Sequence, residues 1–397
     1  MRRDRLLTTG AALGGADLMV LSRAQGVFVW DAAGRRYLDG LSGYWCCPLG
    51  CGRRDVAARV AAQLRLLSYA PLDWRAHPPA LELAEALLAR APKGLTRAYF
   101  CSGGSEAVET ALKIARLHAF ERGETKRTVF LARRGSYHGA AYGATSVSGF
   151  PTLKRGVGPL VPDVVEVGGS ASDVEAALSR LGGRVAAFIA EPVCAAGRVQ
   201  LPPEGYWPRV ARAVRASGAL LILDEVLTGL GRTGTWFAAE HWGLEPDLLV
   251  LGKGLSGGYA PLGAVLVSER VAETFRDRPF DHGYTFQGHP AACAAALATL
   301  EGLAAVLPAA AAGAAALHKD LERAAPGRVA ALGHLASVAL ELGEPARARL
   351  KELTLEEGLL CGVEPDALQL APALTASPRQ LSAITAAARR ALARLML

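Results

Sequence analysis

Short apolar runs alternate with longer amphipathic segments through the middle of the chain, and this alternation predicts the fold class. Apolar runs predict strands at residues 98–101, 128–132, 186–190, 219–223, 248–251 and 263–267. Segments with a helical period predict helices at 105–122, 172–181, 206–217 and 290–303. Strands separated by helices are typical of βα units, and uninterrupted apolar strands indicate a sheet covered on both faces. We therefore predict an α/β protein with a mostly parallel sheet.

The two ends of the chain depart from this pattern. The stretch "GVFVWDAAGRRYLDG" (26–40) alternates apolar and polar residues on either side of a turn at 31–34, which predicts a hairpin. From about residue 305 the chain is rich in alanine and arginine and helical in character, with one extended stretch near 336–342. We predict an N-terminal segment (1–48) that joins a smaller α+β domain, a large domain (49–300) and a C-terminal small domain (301–397).

Composition narrows the classes of function. The chain has 397 residues, 51% of them hydrophobic, and a formal net charge of +7 that is spread along its length. No dense basic block is present, so a nucleic-acid partner is disfavoured. No uninterrupted apolar run approaches the roughly 18 to 20 residues of a membrane span. The start, "MRRDRLLTTGAALGGA", has features of a twin-arginine export signal, but its apolar part is short and ends at Asp17; we expect a cytoplasmic protein.

The cysteines indicate a reducing compartment rather than a metal site. There are seven, an odd number without short regular spacings, which argues against a disulfide framework. Cys46, Cys47 and Cys51 lie close together in sequence, but no second cysteine pair or histidine pair accompanies them. We therefore expect no metal.

Candidate functional residues are the polar residues that directly follow the predicted strands, because ligands of open α/β sheets bind beyond the carboxyl ends of the strands. After 98–101 comes "SGGSEAVETALKIAR". Gly103 and Gly104 would let the backbone approach a ligand, and Ser105 lies where a helix would begin. The free amides of a helix start form a phosphate site, although a plain glycine-rich helix cap explains this segment equally well.

Other strand ends carry an acid and an amine. Asp224 follows 219–223, where a buried carboxylate needs a partner, unless it merely caps a helix. Lys253 follows 248–251 in "LVLGKGLSGGYAPLG", where a solvated lysine is the simpler alternative. Thr285 in "YTFQGHP" precedes a helix that Pro290 can open, and Tyr137 in "GSYHG" offers an aromatic ring.

Taken together, these residues match the requirements of pyridoxal phosphate. That cofactor needs a lysine to carry its aldehyde as a Schiff base and an aspartate beside its ring nitrogen. It also needs a helix start for its phosphate and an aromatic side chain against its ring. This combination makes Lys253 the candidate catalytic residue.

The same stretches resemble the class-III pyridoxal-phosphate aminotransferases of fold type I. The resemblance runs from about residue 26 to 300, continues more faintly to the end, and rests on many ordered matches. They are "GVFVWDAAGRRYLDGLSGYW", "YFCSGGSEAVETALKIAR", "YHG", "AEPV", "PPEGYW", "LILDEVLTGLGRTG", "PDLLVLGKGLSGGYAPLGAV" and "GYTFQGHPAACAAALATL". It implies a large domain and a smaller one, and a transaminase that works by a ping-pong mechanism.

The resemblance also implies roles for residues around the cofactor ring. It implies that Lys253 binds the cofactor covalently and that Asp224 pairs with the pyridine nitrogen. Val226 and Tyr137 are expected on opposite faces of the ring. Glu191, in "AEPV", is expected near the cofactor hydroxyl, with a purely structural role as the alternative.

A further set of residues is expected at the cofactor phosphate. The resemblance implies that Gly103, Gly104 and Ser105 bind the phosphate within one chain. It also implies that Thr285 reaches the phosphate in the neighbouring subunit, which makes the protein a homodimer.

For the substrate, the segment around Trp45 is similar to the amine and β-alanine transaminases, in which this tryptophan lines the pocket together with Tyr137. Ala196 occupies the place where the ornithine branch has a glutamate. The arginines that grip a substrate carboxylate in the two branches correspond to Gly362 and Gln369. The preferred amine, or the aldehyde or ketone partner, is therefore expected to lack an α-carboxylate.

Other arginines could replace the missing ones, and Arg198 and Arg134 are candidates. Cys194 replaces the family's glutamine after the Glu-Pro pair, so contacts around the cofactor hydroxyl are expected to differ. The alternative function is an aminomutase of the same family, which moves the amino group within one substrate. A non-catalytic protein that keeps the fold for binding is a further alternative.

Overall fold

The computed structural model describes residues 6, 9 and 18–395. The segment considered as an export signal lies, apart from residues 6 and 9, outside this range. The strands are β1 (Leu21–Gln25), β2 (Phe28–Asp31), β3 (Arg36–Asp39), β4 (Leu95–Cys101), β5 (Val129–Arg133), β6 (Val164–Val167), β7 (Val185–Ala190), β8 (Leu220–Asp224), β9 (Leu248–Leu251), β10 (Gly263–Ser268), β11 (Val329–Leu332), β12 (Leu335–Ala339), β13 (Leu359–Leu360), β14 (Gly362–Glu364) and β15 (Ala367–Leu370).

The helical segments are α1 (Ser42–Trp45), α2 (Arg54–Leu66), α3 (Pro78–Leu88), α4 (Gly104–Glu121), α5 (Tyr142–Val147), α6 (Pro151–Lys154), α7 (Ala171–Leu181), α8 (Tyr206–Ser217), α9 (Glu269–Ala272), α10 (Pro290–Ala324), α11 (Glu344–Glu356) and α12 (Pro378–Leu395). Short 3₁₀ turns lie at Gly182–Arg184, Ala238–Trp242, Lys253–Ser256 and Glu273–Phe275.

A seven-stranded sheet forms the centre of the molecule, in the order β4-β10-β9-β8-β7-β5-β6. The strands from β9 to β6 in this order are parallel to one another, and β10 is antiparallel to both of its neighbours. This confirms the prediction of an α/β fold with a mostly parallel sheet. In the β8–β9 register Asp224 lies opposite Val250, so Asp224 and Lys253 emerge at the same edge of the sheet.

The central strands are apolar throughout because both faces of the sheet are covered. Successive residues alternate between two buried clusters: Phe188 and Leu221 belong to one, and Ile189 and Ile222 to the other. Helix α8 contributes to the first cluster and helix α4 to the second. Since side chains alternate between faces along a strand, a strand that is covered on both faces reads as an uninterrupted apolar run.

Two four-stranded sheets complete the fold, with orders β1-β2-β3-β13 and β11-β12-β15-β14. The predicted hairpin is present as β2 and β3. Strand β13 pairs in parallel with β3, so the C-terminal part of the chain adds a strand to the N-terminal sheet. The domain boundaries remain a prediction, and the one drawn at residue 300 falls inside α10.

Helix α10 is longer and more apolar than the sequence pattern predicts. It continues through Pro308, well beyond the predicted end at residue 303. Contrary to the expectation from apolar runs alone, α10 has the length and composition to cross a membrane, with a mean hydropathy of 1.7 in its most apolar window. In this structure 67% of that window is buried, and α10 packs against α2 and α3 as a core helix.

Candidate active site

The carboxyl ends of the parallel strands surround a cavity of about 170 Å³. It is lined by Gly104, Ser105, Tyr137, His138, Gly139, Glu191, Ala196, Asp224, Val226, Leu227 and Lys253. The structure thus brings together most of the candidate residues named from the sequence. A larger cavity of about 700 Å³ lies at the amino ends of β8 and β9 and contains none of them.

Lys253 enters the cavity from a strained backbone. Its φ of 41° lies in the left-handed region, which residues with a side chain rarely adopt and which is enriched at functional sites. Burial lowers the pKa of the Lys253 amine, while the carboxylates of Asp224 and Glu191 act in the opposite direction. A lowered pKa increases the neutral fraction of the amine, which is the form that attacks a carbonyl group.

The carboxylate of Asp224 is buried and held from two sides. Its Oδ2 lies 2.7 Å from Nδ1 of His138, and its Oδ1 accepts a hydrogen bond of 3.0 Å from the backbone N–H of Val226. Only 3% of Asp224 and 2% of His138 is exposed to solvent. Within the described part of the chain, Nε2 of His138 has no hydrogen-bond partner. The acid therefore keeps its hydrogen bonds without contact with water, as a buried carboxylate requires.

His138 is a site residue that the sequence reading missed. It stands next to Tyr137 in "GSYHG", but only the tyrosine received a role there. Its importance follows from its contact with Asp224, which lies 86 positions later in the chain. The sequence offered one signal for it: His138 is a polar residue directly after Tyr137, inside a motif that already contains a candidate functional residue.

Glu191 connects the loops after β5 and β7. Its Oε1 accepts a hydrogen bond of 3.0 Å from the backbone N–H of Tyr137, and its Oε2 accepts one of 3.3 Å from the backbone N–H of Ala195. Burial raises the pKa of Glu191 to about 7, and the negative charge of Asp224 acts in the same direction. The two hydrogen bonds fix Tyr137 and the Ala196 segment relative to each other.

The start of α4 forms a cradle that only glycine allows. A Cβ atom on Gly104 would lie 2.9 Å from Cγ1 of Val226, so a side chain there would displace the valine. Ser105 Oγ accepts a hydrogen bond of 3.1 Å from the backbone N–H of Ala140. Gly103 is extended (φ 178°) and precedes the cavity without lining it. The unpaired amides at the start of this helix suit an oxyanion.

Trp45 does not line the cavity but lies beside Lys253, at the end of an unusual turn. All residues of Ser42–Trp45 have positive φ, between 45° and 66°. Asp39 accepts hydrogen bonds of 3.0 Å from the backbone N–H of Leu41, just before this segment, and of 2.7 Å from that of Gly43. Arg232 donates one of 2.8 Å to Ser42 Oγ. The ring centroid of Trp45 lies 5.4 Å from Nζ of Lys253. A left-handed turn is costly, so the surrounding contacts hold the tryptophan in place.

Some of the candidate residues lie elsewhere. Thr285 is exposed and does not line the cavity of its own chain. Gly362 and Gln369 are cross-strand partners in β14 and β15, and the amide of Gln369 donates to the backbone oxygen of Ala195. No arginine lines the cavity formed by the described residues.

The two arginines considered as replacements also lie outside this cavity. Arg134 is exposed. Arg198 is half-buried, and its Nε lies 3.9 Å from Oδ2 of Asp366. All seven cysteines are free thiols, and within residues 18–395 no group of three or more metal-ligating side chains is arranged to hold a metal ion.

Comparison with known proteins identifies the family to which the chain belongs. The family model described as aminotransferase class-III matches residues 11–392. The chain belongs to the class-III aminotransferase family. A relative within it is the putrescine–pyruvate aminotransferase of Pseudomonas aeruginosa, 36% identical over 299 residues. That alignment covers 70% of this chain and 66% of the relative, just under two thirds of its length.

Solved structures of class-III relatives match the whole fold. The (S)-enantioselective ω-transaminase of Thermomicrobium roseum has a TM-score of 0.94 at 36% identity, over 98% of this chain and 96% of that one. An amine transaminase from an uncultivated Pseudomonas species, solved in its PLP-bound form, has a TM-score of 0.92 at 34% identity, over 98% and 97% of the two chains. These findings confirm the predicted fold type, the enzyme class and pyridoxal phosphate as the cofactor.

We predict that His138 acts as a positioning residue for Asp224. Replacing it with phenylalanine (His138→Phe) removes a hydrogen bond to a charged group, which is worth about 1.5 to 3 kcal/mol and corresponds to about a 10- to 100-fold lower kcat. His138→Asn, which retains a donor, should recover part of the loss. His118→Phe, at a buried histidine in α4, is the matched control and should leave kcat unchanged. Equal kcat values for the wild type and His138→Phe would show that His138 does not position Asp224.

We also predict that Glu191 makes stability depend on pH. Its pKa is raised from 4.5 when unfolded to about 7 when folded, so its contribution to stability is complete below pH 4.5 and is lost as pH rises towards 7. Glu191→Gln should therefore gain stability relative to the wild-type apoprotein across this range, by up to about 3 kcal/mol. Melting temperatures measured between pH 4.5 and 7.5 test this, with the exposed Glu82→Gln as control. If the melting temperatures of Glu191→Gln and the wild type differ by the same amount at every pH, the prediction is wrong.

Proposed function

We propose that this enzyme transfers the amino group of an amine or ω-amino acid to a carbonyl acceptor by a ping-pong mechanism. The observation that carries the proposal is the single cavity in which the amine of Lys253, the buried carboxylate of Asp224 and the cradle at Gly104 converge. These groups have the chemistry that pyridoxal phosphate needs. The relatives and solved structures described above carry the names of amine transaminases, which supports the same reaction.

The proposed positions around the cofactor follow from the lining of the cavity. Gly104 and Ser105, with Gly103 just before them, would hold the phosphate, and Asp224 would pair with the ring nitrogen. Val226 and Tyr137 would contact the two faces of the ring. When bound, pyridoxal phosphate supplies an electron sink for the bonding electrons released at the substrate carbon.

The protein's own groups supply the proton transfer. Lys253 would hold the cofactor covalently, and its amine, once released, would take a proton from the substrate carbon that bears the amino group. The lowered pKa of Lys253 keeps a fraction of this amine neutral and able to accept that proton. The carboxylate of Asp224 would keep the ring nitrogen protonated, and His138 would hold that carboxylate in place. The partly buried site would limit access of water to the reacting atoms.

We propose further that the preferred amine donor lacks an α-carboxylate. A carboxylate in a pocket is usually held by a bidentate arginine. Here Gly362 and Gln369 stand where such arginines are expected, and Arg198 and Arg134 lie outside the cavity. Trp45 and Ala196 would then bound a pocket that recognises the amine by its shape. The putrescine–pyruvate relative, whose named amine donor is a diamine without a carboxylate, supports this choice.

The enzyme is also proposed to work as a homodimer. Phe286, the neighbour of Thr285 in the chain, is 61% exposed. Trp74 is 85% exposed and follows Leu72, whose backbone oxygen accepts a hydrogen bond from Gln287. Tyr69 is partly exposed and donates a hydrogen bond of 2.7 Å to the backbone oxygen of Thr285. A second chain packed here would cover these rings and bring Thr285 to the phosphate in the neighbouring active site. Exposed apolar clusters of this kind are typical of interaction surfaces.

Half-reactions test the proposed reaction and its substrate class. We expect putrescine to convert the holoenzyme faster than ornithine, because the missing carboxylate clamp penalises only the amino acid. Stopped-flow absorbance of the cofactor measures each rate, and Lys253→Ala should abolish the reaction while the exposed Lys126→Ala should not. Fast reaction with ornithine followed by 2-oxoglutarate would contradict the substrate proposal. Turnover of a single amine without any acceptor would favour the aminomutase alternative instead.

Hybrid dimers test the role of Thr285. If Thr285 serves the neighbouring site, a dimer of one Lys253→Ala chain and one Thr285→Ala chain contains one intact active site. We therefore expect the unfolded and refolded mixture to be more active than either parent, with about half of its chains in hybrid dimers. If both residues serve the site of their own chain, no intact site forms and the mixture will be no more active than the average of the parents.

A further inference from the structure

Two nitrogens of the Arg133 guanidinium group, outside the cofactor cavity, are buried without a hydrogen-bond partner in the described chain. Arg133 ends β5 and is 5% exposed. Its Nε and Nη1 atoms have no hydrogen-bond acceptor among residues 18–395. Its Cζ lies 5.2 Å from the centre of the Tyr206 ring, whose hydroxyl is also buried with no hydrogen-bond partner in the described chain. A buried charge needs a counter-charge or hydrogen bonds, so these groups point to a missing acceptor.

Arg133 lines a further cavity, distinct from the two described above. It has a volume of about 460 Å³ and lies between the large sheet and the small sheet that contains β11 and β12. Arg198 and Arg328 line the same cavity, and no acidic side chain of the described chain does. Outside the lining, Oδ2 of Asp366 lies 3.9 Å from Nε of Arg198. Three guanidinium groups around one cavity without a lining carboxylate give it an excess of positive charge.

We propose that this cavity is an anion site that binds a phosphate or carboxylate group between Arg133 and Arg198, with Arg328 at its mouth. Guanidinium groups bind both kinds of oxyanion through charge-assisted hydrogen bonds. A bound oxyanion supplies the counter-charge that Arg133 lacks among the residues that line this cavity. The site is separate from the cofactor cavity, because none of these arginines lines that cavity.

The location of the anion site connects it to the candidate active site. Ser136, next to Tyr137, donates a backbone hydrogen bond of 3.2 Å to the backbone oxygen of Arg133. Arg198 belongs to the loop that also carries Glu191 and Ala196. A bound anion therefore links both loops of the active site to the smaller sheet, and its binding stabilises the folded chain.

Titration calorimetry of the holoenzyme with inorganic phosphate tests the proposal, with chloride used to keep the ionic strength constant. We expect one site per chain and a higher melting temperature in phosphate than in chloride. A parallel titration with malonate distinguishes the two ligand classes: the tighter probe identifies the natural group as phosphate or carboxylate.

Variants assign the binding to this cavity. Arg133→Met should weaken phosphate or malonate binding by about tenfold or more, since it removes charge-assisted hydrogen bonds. Arg133→Lys, which keeps the charge and is safer for folding, should show a smaller loss, and so should Arg198→Met. The control Arg180→Met changes net charge equally at an exposed position in α7 and should bind like the wild type. Absence of binding to the wild type by both probes, or unchanged binding in the Arg133 and Arg198 variants, would overturn the proposal.

Discussion

The burial of Asp224 at the end of β8 is the constraint on which the rest of the site depends. A carboxylate with 3% exposure is stable only if its oxygens are hydrogen-bonded, and His138 and the backbone of Val226 provide those bonds. The requirement fixes the loop after β5, because His138 must reach Asp224 from there. That loop also carries Tyr137, which Glu191 holds through its backbone. Two buried acids, Asp224 and Glu191, thus organise the loops that follow β5, β7 and β8.

The N-terminal segment adds a second constraint from outside the large sheet. Arg232, fully buried, donates to Ser42 and to the backbone oxygens of Ala371 and Pro372. It therefore ties the left-handed turn before Trp45 to the chain that follows β15. Because the turn has an unfavourable backbone conformation, it depends on these bonds and on Asp39. The position of Trp45 beside Lys253 is in this way set by residues from both ends of the chain.

The sequence predicts the central sheet well and the periphery poorly, for a physical reason. Strands covered on both faces must be apolar at every position, so β5, β7, β8, β9 and β10 stand out as uninterrupted runs. Strands β1, β11, β13 and β14 are short and partly exposed, and their composition does not distinguish them from loops. Helix α10 continues through Pro308, beyond the predicted end at residue 303, because its C-terminal part is packed: Leu317 and Leu321 are buried among side chains of α11 and α12.

The same distinction applies to the site. Asp224 and Lys253 could be found because each is a polar residue at the end of an apolar strand. The sequence marks His138 only by its place next to Tyr137 and does not mark Arg133, since their significance comes from contacts or missing contacts between distant parts of the chain. Thr285 remains a proposal because its expected partner belongs to a second chain.

The central claim is that Lys253 is the residue that holds pyridoxal phosphate. Reduction of the holoenzyme with borohydride, followed by proteolysis and mass spectrometry of the peptides, tests it most directly. We expect one pyridoxyl group per chain, on the peptide that contains Lys253. A pyridoxyl group on another lysine, or none on any peptide of a cofactor-loaded enzyme, would contradict it.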